Sequence, residues 1–324
     1  MAPSTPSTPS TSATPATPAS RASRESVLVV PAADRAAILI TGKDRMTWLN
    51  GLVTCELAKR ERGQGAYGLL VEKKGRIQAD LFVVPSADGD EATLALAVPA
   101  SLRESLLATL DHYLIMEDVE LTASDLVFFV AHGPRAAELR SLAPYAGTVD
   151  LLGTGGLVLG APAADAAALE ARLRETVATL GGVFVDDATW DAIRIEAGLP
   201  RFGAEVDATL YPQEAALEKL AVSFSKGCYL GQEVVYMLQE RGHVKRKLVP
   251  LDLDLGEGEG EGERAALPAA GAAVSTPAGE AVGEIRSAAI GPSSGKPVAI
   301  AMVKWAHAKH DTELRVGERT ARVR

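Results

Sequence analysis

The sequence is poor in the residues from which disulfide frameworks and metal centres are built. Its 324 residues include two cysteines, Cys55 and Cys228, and five histidines that lie scattered along the chain. Two cysteines far apart in sequence do not make a disulfide framework, and neither lies in a Cys-x-x-Cys pair. The pattern predicts free thiols in a reducing, cytoplasmic compartment and no metal site built by this chain alone.

A long apolar run and an excess of positive charge are also missing. No stretch reaches the roughly 18 to 20 apolar residues that cross a bilayer, and the N-terminus has no apolar segment of the secretory type. The net charge of −9 disfavours a general attraction to nucleic acid. We therefore expect a monomer with neither a membrane nor a nucleic-acid partner.

Composition divides the chain into a tail and a body. Residues 1–24 are mostly Pro, Ser, Thr and Ala, which predicts disorder because they cannot bury enough apolar surface. Residues 25–246 alternate predicted strands and helices without strict β-α-β spacing or a glycine-rich phosphate loop, which favours an α+β fold. The alternation repeats, so we expect two related subdomains at about 25–118 and 119–246.

The character of the sequence changes in residues 247–324. Short β-rich segments separated by turn residues predict a small C-terminal β-barrel that carries an acidic, glycine-rich loop at 256–264. Within the body, one helix is expected to begin at Asp187 and to end at Gly198. A second short helix is expected to begin at Pro212.

The stretch SFSKGCYLGQEVVY, at 223–236, contains the first candidate for chemistry. Lys226 lies two positions before Cys228, and a nearby cation favours the reactive thiolate. Gly227 and Gly231 allow the backbone to bend sharply. The alternative is that Cys228 is buried and acts as a small apolar residue, as free cysteines often do.

Two carboxylates are further candidates. Glu196 lies near the end of a predicted helix, where the helix dipole disfavours it. A bidentate contact to a flat N–C–N–H edge, as in a pterin, explains this position, and so does an ion pair with Arg194 or Arg201. Asp80 interrupts an apolar strand and either binds a ligand or satisfies backbone amides of a nearby loop.

The run RGHVKRKL is the densest basic segment, and it contains Arg241, Lys245, Arg246 and Lys247. Such a run is most often a solvated face. In a chain of negative net charge it is also the place to attract an anionic ligand tail, such as the glutamates of a folate. The residues alone leave both interpretations open.

Several segments together resemble the YgfZ-type folate-binding proteins of the aminomethyltransferase superfamily, which includes the glycine-cleavage T-protein. KGCYLGQE resembles the signature K-G-C-(F/Y)-x-G-Q-E, and RIEAGLPRFGAEVDATLYPQEAALE resembles the family's R-x-E-x-G-x-P and P-x-E segment. Near the front, ITGKDRMTWLNGLVTCEL and GAYGLLVEKKGRIQADLFV are similar to the start of these proteins. The resemblance covers nearly everything from Val27 onwards.

The resemblance implies a multi-part α+β body around a central folate channel, completed by the C-terminal β-barrel. It implies that Glu196 contacts the pterin, that Asp80 lies near the reactive nitrogens of the folate, and that Arg241 supplies a basic contact. The implied cofactor is tetrahydrofolate or a one-carbon derivative of it. The residues that match the signature are Lys226, Gly227, Cys228, Tyr229, Gly231, Gln232 and Glu233.

The function that the resemblance implies is that of an accessory protein for iron–sulfur enzymes. It would bind tetrahydrofolate and support cluster assembly or repair in client enzymes, with Cys228 and Asp80 as its chemical groups and with clients or assembly proteins as partners. The alternative is a folate-dependent aminomethyl or methyl transferase of the T-protein type. T-proteins usually carry two consecutive aspartates where this chain has Ala79-Asp80, which disfavours the transferase. A folate-binding module without chemistry is a third possibility, so enzyme activity stays open.

Overall fold

The computed structural model describes residues 16–87, 92–240, 242, 244–254 and 267–324. Within these ranges, no helix combines the length and the apolar character that crossing a membrane requires.

Three of the sequence predictions fall on other parts of the chain. Residues 1–15 of the predicted tail, the acidic loop at 256–264 and Arg241 all lie outside the described residues.

Short strands and helices alternate through the described residues, as the period of their apolar residues predicts. The α-helices are α1 (Pro18–Glu25), α2 (Arg45–Asn50), α3 (Arg103–Asp111), α4 (Ala166–Thr179), α5 (Asp187–Ala197), α6 (Glu218–Ala221) and α7 (Gln232–Glu240). Short 3₁₀ turns lie at Ala100–Leu102, Ala136–Leu142, Ala163–Asp165 and Trp305–His307. The strands are β1 (Leu28–Pro31), β2 (Arg35–Thr41), β3 (Ala66–Val71), β4 (Ile77–Pro85), β5 (Leu94–Pro99), β6 (Glu120–Ser124), β7 (Leu126–His132), β8 (Tyr145–Thr148), β9 (Gly156–Pro162), β10 (Val183–Phe184), β11 (Arg246–Leu253), β12 (Ala273–Ser275), β13 (Ala281–Ile290), β14 (Pro297–Lys304), β15 (Glu313–Val316) and β16 (Arg319–Val323).

Two five-stranded sheets form the body. The first has the order β3-β4-β5-β2-β6, and the second has the order β10-β1-β7-β9-β8. β1 precedes the first sheet in the chain but pairs with β7 and β10, whereas β6 pairs with β2. The subdomain boundary expected at about residue 118 therefore does not coincide with the division of strands between the two sheets, because periodicity identifies a strand but not its pairing partner.

The main apolar core lies between the two sheets. Leu28 and Val30 of β1, Phe82 of β4 and Phe128 of β7 pack there together with Trp190 of α5. The outer face of the first sheet is covered by α2 and α3, and the outer face of the second sheet is covered by α4. Burying one such large side chain stabilises the fold by about 1.5–3 kcal/mol, so these layers hold the body together.

The C-terminal strands close into a barrel in the order β11-β14-β13-β12-β15-β16, which confirms the predicted β-barrel. Alternate residues of β14 face the barrel interior, as Ala301 does, or the main core of the body, as Ile300 and Met302 do. The barrel thus shares its outer surface with the core, and β13 and β14 pack against α5.

The prediction that residues 1–24 are disordered is wrong for the end of that segment. Residues 18–24 belong to α1, whose N-cap Thr17 accepts a hydrogen bond from the Ser20 amide. Ala19 and Ala22 are buried against the body, and the Thr17 amide donates to the Pro292 carbonyl of the barrel. Composition alone did not indicate helix because these small residues gain their burial from tertiary partners.

Candidate functional site

A cavity of about 60 Å³ lies where both sheets meet α5. The first sheet contributes Arg35, Tyr67 and Asp80 to its wall, and α5 contributes Trp190 on the opposite side. This volume holds about two water molecules and is far below the roughly 300 Å³ at which ligand pockets begin. A ring-sized ligand would therefore have to displace lining side chains.

Asp80 is buried in β4 and is held by two neighbours. Arg35 forms a bidentate pair with it, with Nη1 2.7 Å from Oδ1 and Nη2 2.9 Å from Oδ2. The Tyr67 hydroxyl donates to Oδ2 at 3.0 Å. Burial opposes the charge on Arg35, but the Asp80 carboxylate outweighs this effect and raises the pKa of the guanidinium. Both carboxylate oxygens are therefore engaged, and Asp80 is poorly placed to act as a general base.

The opposite wall of the cavity is the helix that the sequence predicted. The Asp186 side chain caps α5 by accepting from the Thr189 amide at 2.8 Å, and Gly198 ends the helix in the left-handed conformation at φ 72°. Asp187, Trp190 and Arg194 all line the cavity because residues three and four apart share one helix face.

His132 lies directly behind Trp190. The two rings are stacked with their centroids 4.2 Å apart and an interplanar angle of 10°. His132 is fully buried, and neither ring nitrogen has a hydrogen-bond partner in the described parts of the chain. Burial lowers the pKa of His132 to about 3, so the imidazole is neutral at physiological pH.

Glu196 lies on a different face of α5 and does not line the cavity. Its Oε2 accepts from the Ser293 amide at 2.9 Å and its Oε1 accepts from the Ser294 amide at 2.8 Å. Burial works against this half-buried carboxylate, but the two amides outweigh it and lower its pKa. The structure therefore joins Glu196 to a barrel loop and does not bring it together with Asp80.

The alternative interpretation, in which Glu196 pairs with a neighbouring arginine, is wrong. Arg194 binds Asp191 at 2.6 Å and Glu205 at 2.8 Å. Arg201 binds Asp187 at 2.9 Å, at the rim of the cavity. Both guanidinium groups thus bind carboxylates of α5, and Arg194 also joins the helix to Glu205 in the loop that follows it.

Lys226 of the signature directs its charge at backbone carbonyls of residues 50–55. Its ammonium group donates to the backbone carbonyls of Asn50 at 2.7 Å, Val53 at 2.8 Å and Cys55 at 2.6 Å. An ammonium group has three donors, so these bonds use all of them. Burial lowers the pKa of Lys226, whereas the nearby acidic groups of Cys55 and Glu56 act in the opposite direction.

The two cysteines lie in opposite environments. Cys228 is exposed, which overturns the alternative of a buried core residue, and it does not line the cavity. Cys55 is buried in the core of the first sheet, where burial raises the pKa of its thiol to about 11. Its burial makes Cys55 part of the packed core.

The rest of the signature packs against the first sheet. Tyr229 is buried, and burial raises its pKa to about 12. Gly231 has φ 76°, and a Cβ atom there would overlap the Glu72 carbonyl oxygen, so this position requires glycine. Gln232 and Glu233 begin α7.

The basic run that follows α7 is used largely at the junction with the barrel. Lys247 binds Glu218 at 2.7 Å, and Arg246 approaches Glu214 at 3.4 Å. Lys245 is exposed. Among the described residues of the run, Arg246 and Lys247 are therefore paired with carboxylates and Lys245 is solvated, whereas Arg241 lies outside the part of the chain that the structure describes.

Sequence reasoning missed Arg35, Tyr67, Trp190 and His132 as residues of the site. One signal was available for Arg35, because a buried aspartate needs a cationic or multiple hydrogen-bonding partner. Trp190 lies within the helix predicted from Asp187 to Gly198, but nothing local indicates what its side chain meets. Across the described ranges, no three His, Cys, Asp or Glu side chains converge as a metal site.

Comparison with known proteins agrees with this architecture. The family described as GCVT N-terminal domain matches residues 11–151, and the glycine cleavage T-protein C-terminal barrel domain matches residues 246–324. The chain is 30% identical over 238 residues to the tRNA-modifying protein YgfZ of Sodalis glossinidius, covering 68% of this chain and 70% of that protein. The corresponding protein of Vibrio vulnificus is 29% identical over 221 residues, which is 66% of each chain.

A solved structure supports the same fold. The glycine cleavage system aminomethyltransferase T from Bartonella henselae superposes with a TM-score of 0.75 at 21% identity, over 94% of this chain and 86% of that chain. At this level of identity the similarity establishes the fold alone.

Proposed function

Because this chain belongs to the YgfZ family, we propose that it binds tetrahydrofolate at the cavity beside Asp80 and serves iron–sulfur enzymes through the exposed thiol of Cys228. The observation that carries the folate part is the composition of the cavity walls, because the cavity itself must widen to admit a ring. A buried ionic network forms one wall, and the indole of Trp190 forms the other. Such a pairing suits a flat heterocycle, which needs an apolar face and a few fixed polar groups.

Filling the cavity tests this assignment without removing any polar partner. Ala32 is half-buried and lines the cavity, whereas its neighbour Ala33 is exposed and does not. We expect Ala32→Phe to weaken tetrahydrofolate binding by at least about tenfold, or about 1.4 kcal/mol, in isothermal titration. Ala33→Phe should match the wild type. Equal affinity in all three proteins would place the ligand elsewhere.

Glu196 provides a second arm of the same experiment. Since its carboxylate binds two barrel amides, Glu196→Ala should lower the melting temperature by a few degrees, because two charge-assisted hydrogen bonds are lost. It should leave the folate affinity within about twofold. A loss of affinity without a loss of stability would instead restore the pterin contact that the sequence resemblance implies.

The iron–sulfur part rests on the placement of Cys228. The thiol is exposed and is not part of the cavity wall, so it is suited to meet a group that a partner protein presents. A deletion strain should lose activity of iron–sulfur enzymes, and wild type and Cys55→Ala should restore it where Cys228→Ala does not. Cys228→Ala should change the melting temperature by no more than a few degrees, since an exposed thiol contributes little packing. Full rescue by Cys228→Ala would remove the thiol from the function.

The relatives are named for tRNA modification, and the net charge of −9 disfavours direct binding of RNA by this chain. A client enzyme that contains an iron–sulfur cluster and acts on tRNA would reconcile the two. The transferase alternative gains no support from the site, because Arg35 and Tyr67 already engage the carboxylate that would serve as a base.

A further inference from the structure

Two segments far apart in the sequence, residues 50–55 and 221–230, are joined by hydrogen bonds along their length. The Thr54 hydroxyl donates to the Ala221 carbonyl at 2.7 Å, and the Ser223 amide donates to the Thr54 carbonyl at 2.9 Å. The Leu230 amide donates to the Gly51 carbonyl at 3.0 Å. These bonds fasten the signature to the loop that leaves α2.

Lys226 contributes more to this contact than any backbone group does. Its ammonium lies among the three carbonyls of Asn50, Val53 and Cys55, and the residue is 6% exposed. Asn50 is the last residue of α2, and the carbonyl end of a helix attracts a cation. The Tyr229 ring lies 5.3 Å from the ammonium and covers it further.

The chain between Lys226 and Leu230 is therefore an arch that is fastened at both ends. We call residues 226–230 the thiol arch. Gly227 and Cys228 are exposed on its outer side, and Tyr229 is buried on its inner side. A Cβ atom on Gly227 would meet open space, so the outer side is unobstructed there.

We infer that Lys226 is a positioning residue whose ammonium fixes the thiol arch to residues 50–55, and that it does not act on the thiol through its charge. The reason is that all three donors are directed at the carbonyls of Asn50, Val53 and Cys55, which hold the ammonium against residues 50–55. The role of Lys226 rests on the proposed function of Cys228, but its effect on the thiol arch can be measured by cysteine alkylation without any client enzyme.

Alkylation by iodoacetamide, resolved for each cysteine by mass spectrometry over a range of pH, tests the inference. In Lys226→Met, the pH at which Cys228 reaches half its maximal rate should stay within about 0.3 pH unit of wild type. Cys55 should be labelled at least about tenfold faster than in wild type, because the carbonyl bonds that close its loop are gone. Lys219 is exposed, so Lys219→Met is the matched control and should behave as wild type in both measurements.

Lys226→Arg separates charge from geometry and also serves if Lys226→Met does not fold. Arginine keeps the charge but replaces a compact ammonium with a planar fork that does not suit three converging carbonyls. We expect Lys226→Arg to expose Cys55 to labelling and to fail in rescue of iron–sulfur enzyme activity. Wild-type behaviour of Lys226→Arg, or a shift of the Cys228 profile by a pH unit or more in Lys226→Met while Cys55 stays shielded, would overturn the inference. Full rescue by Cys228→Ala would instead overturn the proposed function and leave the alkylation result standing.

Discussion

The cavity wall around Asp80 and the thiol arch around Cys228 hold their central residues in opposite ways. In the wall, Asp80 is buried and bonded on both oxygens by Arg35 and Tyr67. In the arch, the neighbouring Lys226 is bonded by carbonyls while Cys228 itself is exposed. The cationic side chain supports the structure in both regions. Arg35 leaves Asp80 buried, whereas Lys226 leaves Cys228 exposed to a partner.

The largest expected effect contrasts the arch with the interior of the first sheet. Since the pKa of Cys55 is about 11, only about one part in a thousand is thiolate at pH 8, and burial slows access further. We expect iodoacetamide to label Cys228 at least about a hundredfold faster than Cys55 in the native protein. In urea the two rates should converge. Similar native rates would show that the interior around Cys55 opens readily.

The next effect concerns the ionic network of the wall. Asp80→Asn should cost about 3–5 kcal/mol of unfolding free energy, because it leaves the buried Arg35 without its counter-ion. Asp34 also approaches Arg35, at 3.7 Å, but its side chain is 50% exposed. Asp34→Asn should therefore cost less than about 1 kcal/mol in the same urea titration. A small loss in Asp80→Asn would mean that water or another group replaces the carboxylate.

A third measurement compares two glycines of the signature. Gly231→Ala should lower the free energy of unfolding by about 2–3 kcal/mol, since the substitution combines a positive φ with overlap between the new Cβ atom and the Glu72 carbonyl. Gly227→Ala, which meets open space, should change stability by less than about 0.5 kcal/mol. Calorimetric melting of the two variants distinguishes them. If both were neutral, the arch would be less firmly packed on the first sheet than the contacts indicate.

The smallest effect is a pH dependence that originates behind the cavity wall. His132 has a folded pKa of about 3, below its ordinary value, so protons bind preferentially to the unfolded chain. This linkage lowers the free energy of unfolding as pH falls from about 6.5 towards 3. The loss is about 1.4 kcal/mol at pH 5.5. His132→Phe keeps the stacking on Trp190 and should remove this part of the acid sensitivity. His112→Phe, at an exposed site, should not.

Local patterns predicted some elements of the fold well and failed on others for identifiable reasons. The first residue of α5, Asp187, and its C-cap, Gly198, carry local signals in the sequence, so the bounds of this helix could be predicted. The helix predicted from Pro212 is reduced to Glu218–Ala221. The Glu214 carbonyl there accepts from the Leu248 amide of the barrel, and Ala216 has φ 56°, which a helix does not permit.

The candidate site shows the same division. The signature and the carboxylates could be selected from the sequence because residue type and spacing are local properties. The partners of these residues could not be predicted, since Asp80 meets Arg35 across 45 positions and Lys226 meets Asn50 across 176.

The sequence by itself determined the C-terminal barrel, the alternation of strands and helices, and the family. These follow from the periods of apolar residues and from motifs that are written in consecutive positions. Only the tertiary structure decided that Glu196 binds the barrel, that Lys226 holds an arch, and that Asp80 is already paired. A charged side chain must find its counter-charge in space once water is removed, and which segment supplies that partner depends on how the sheets and the barrel pack.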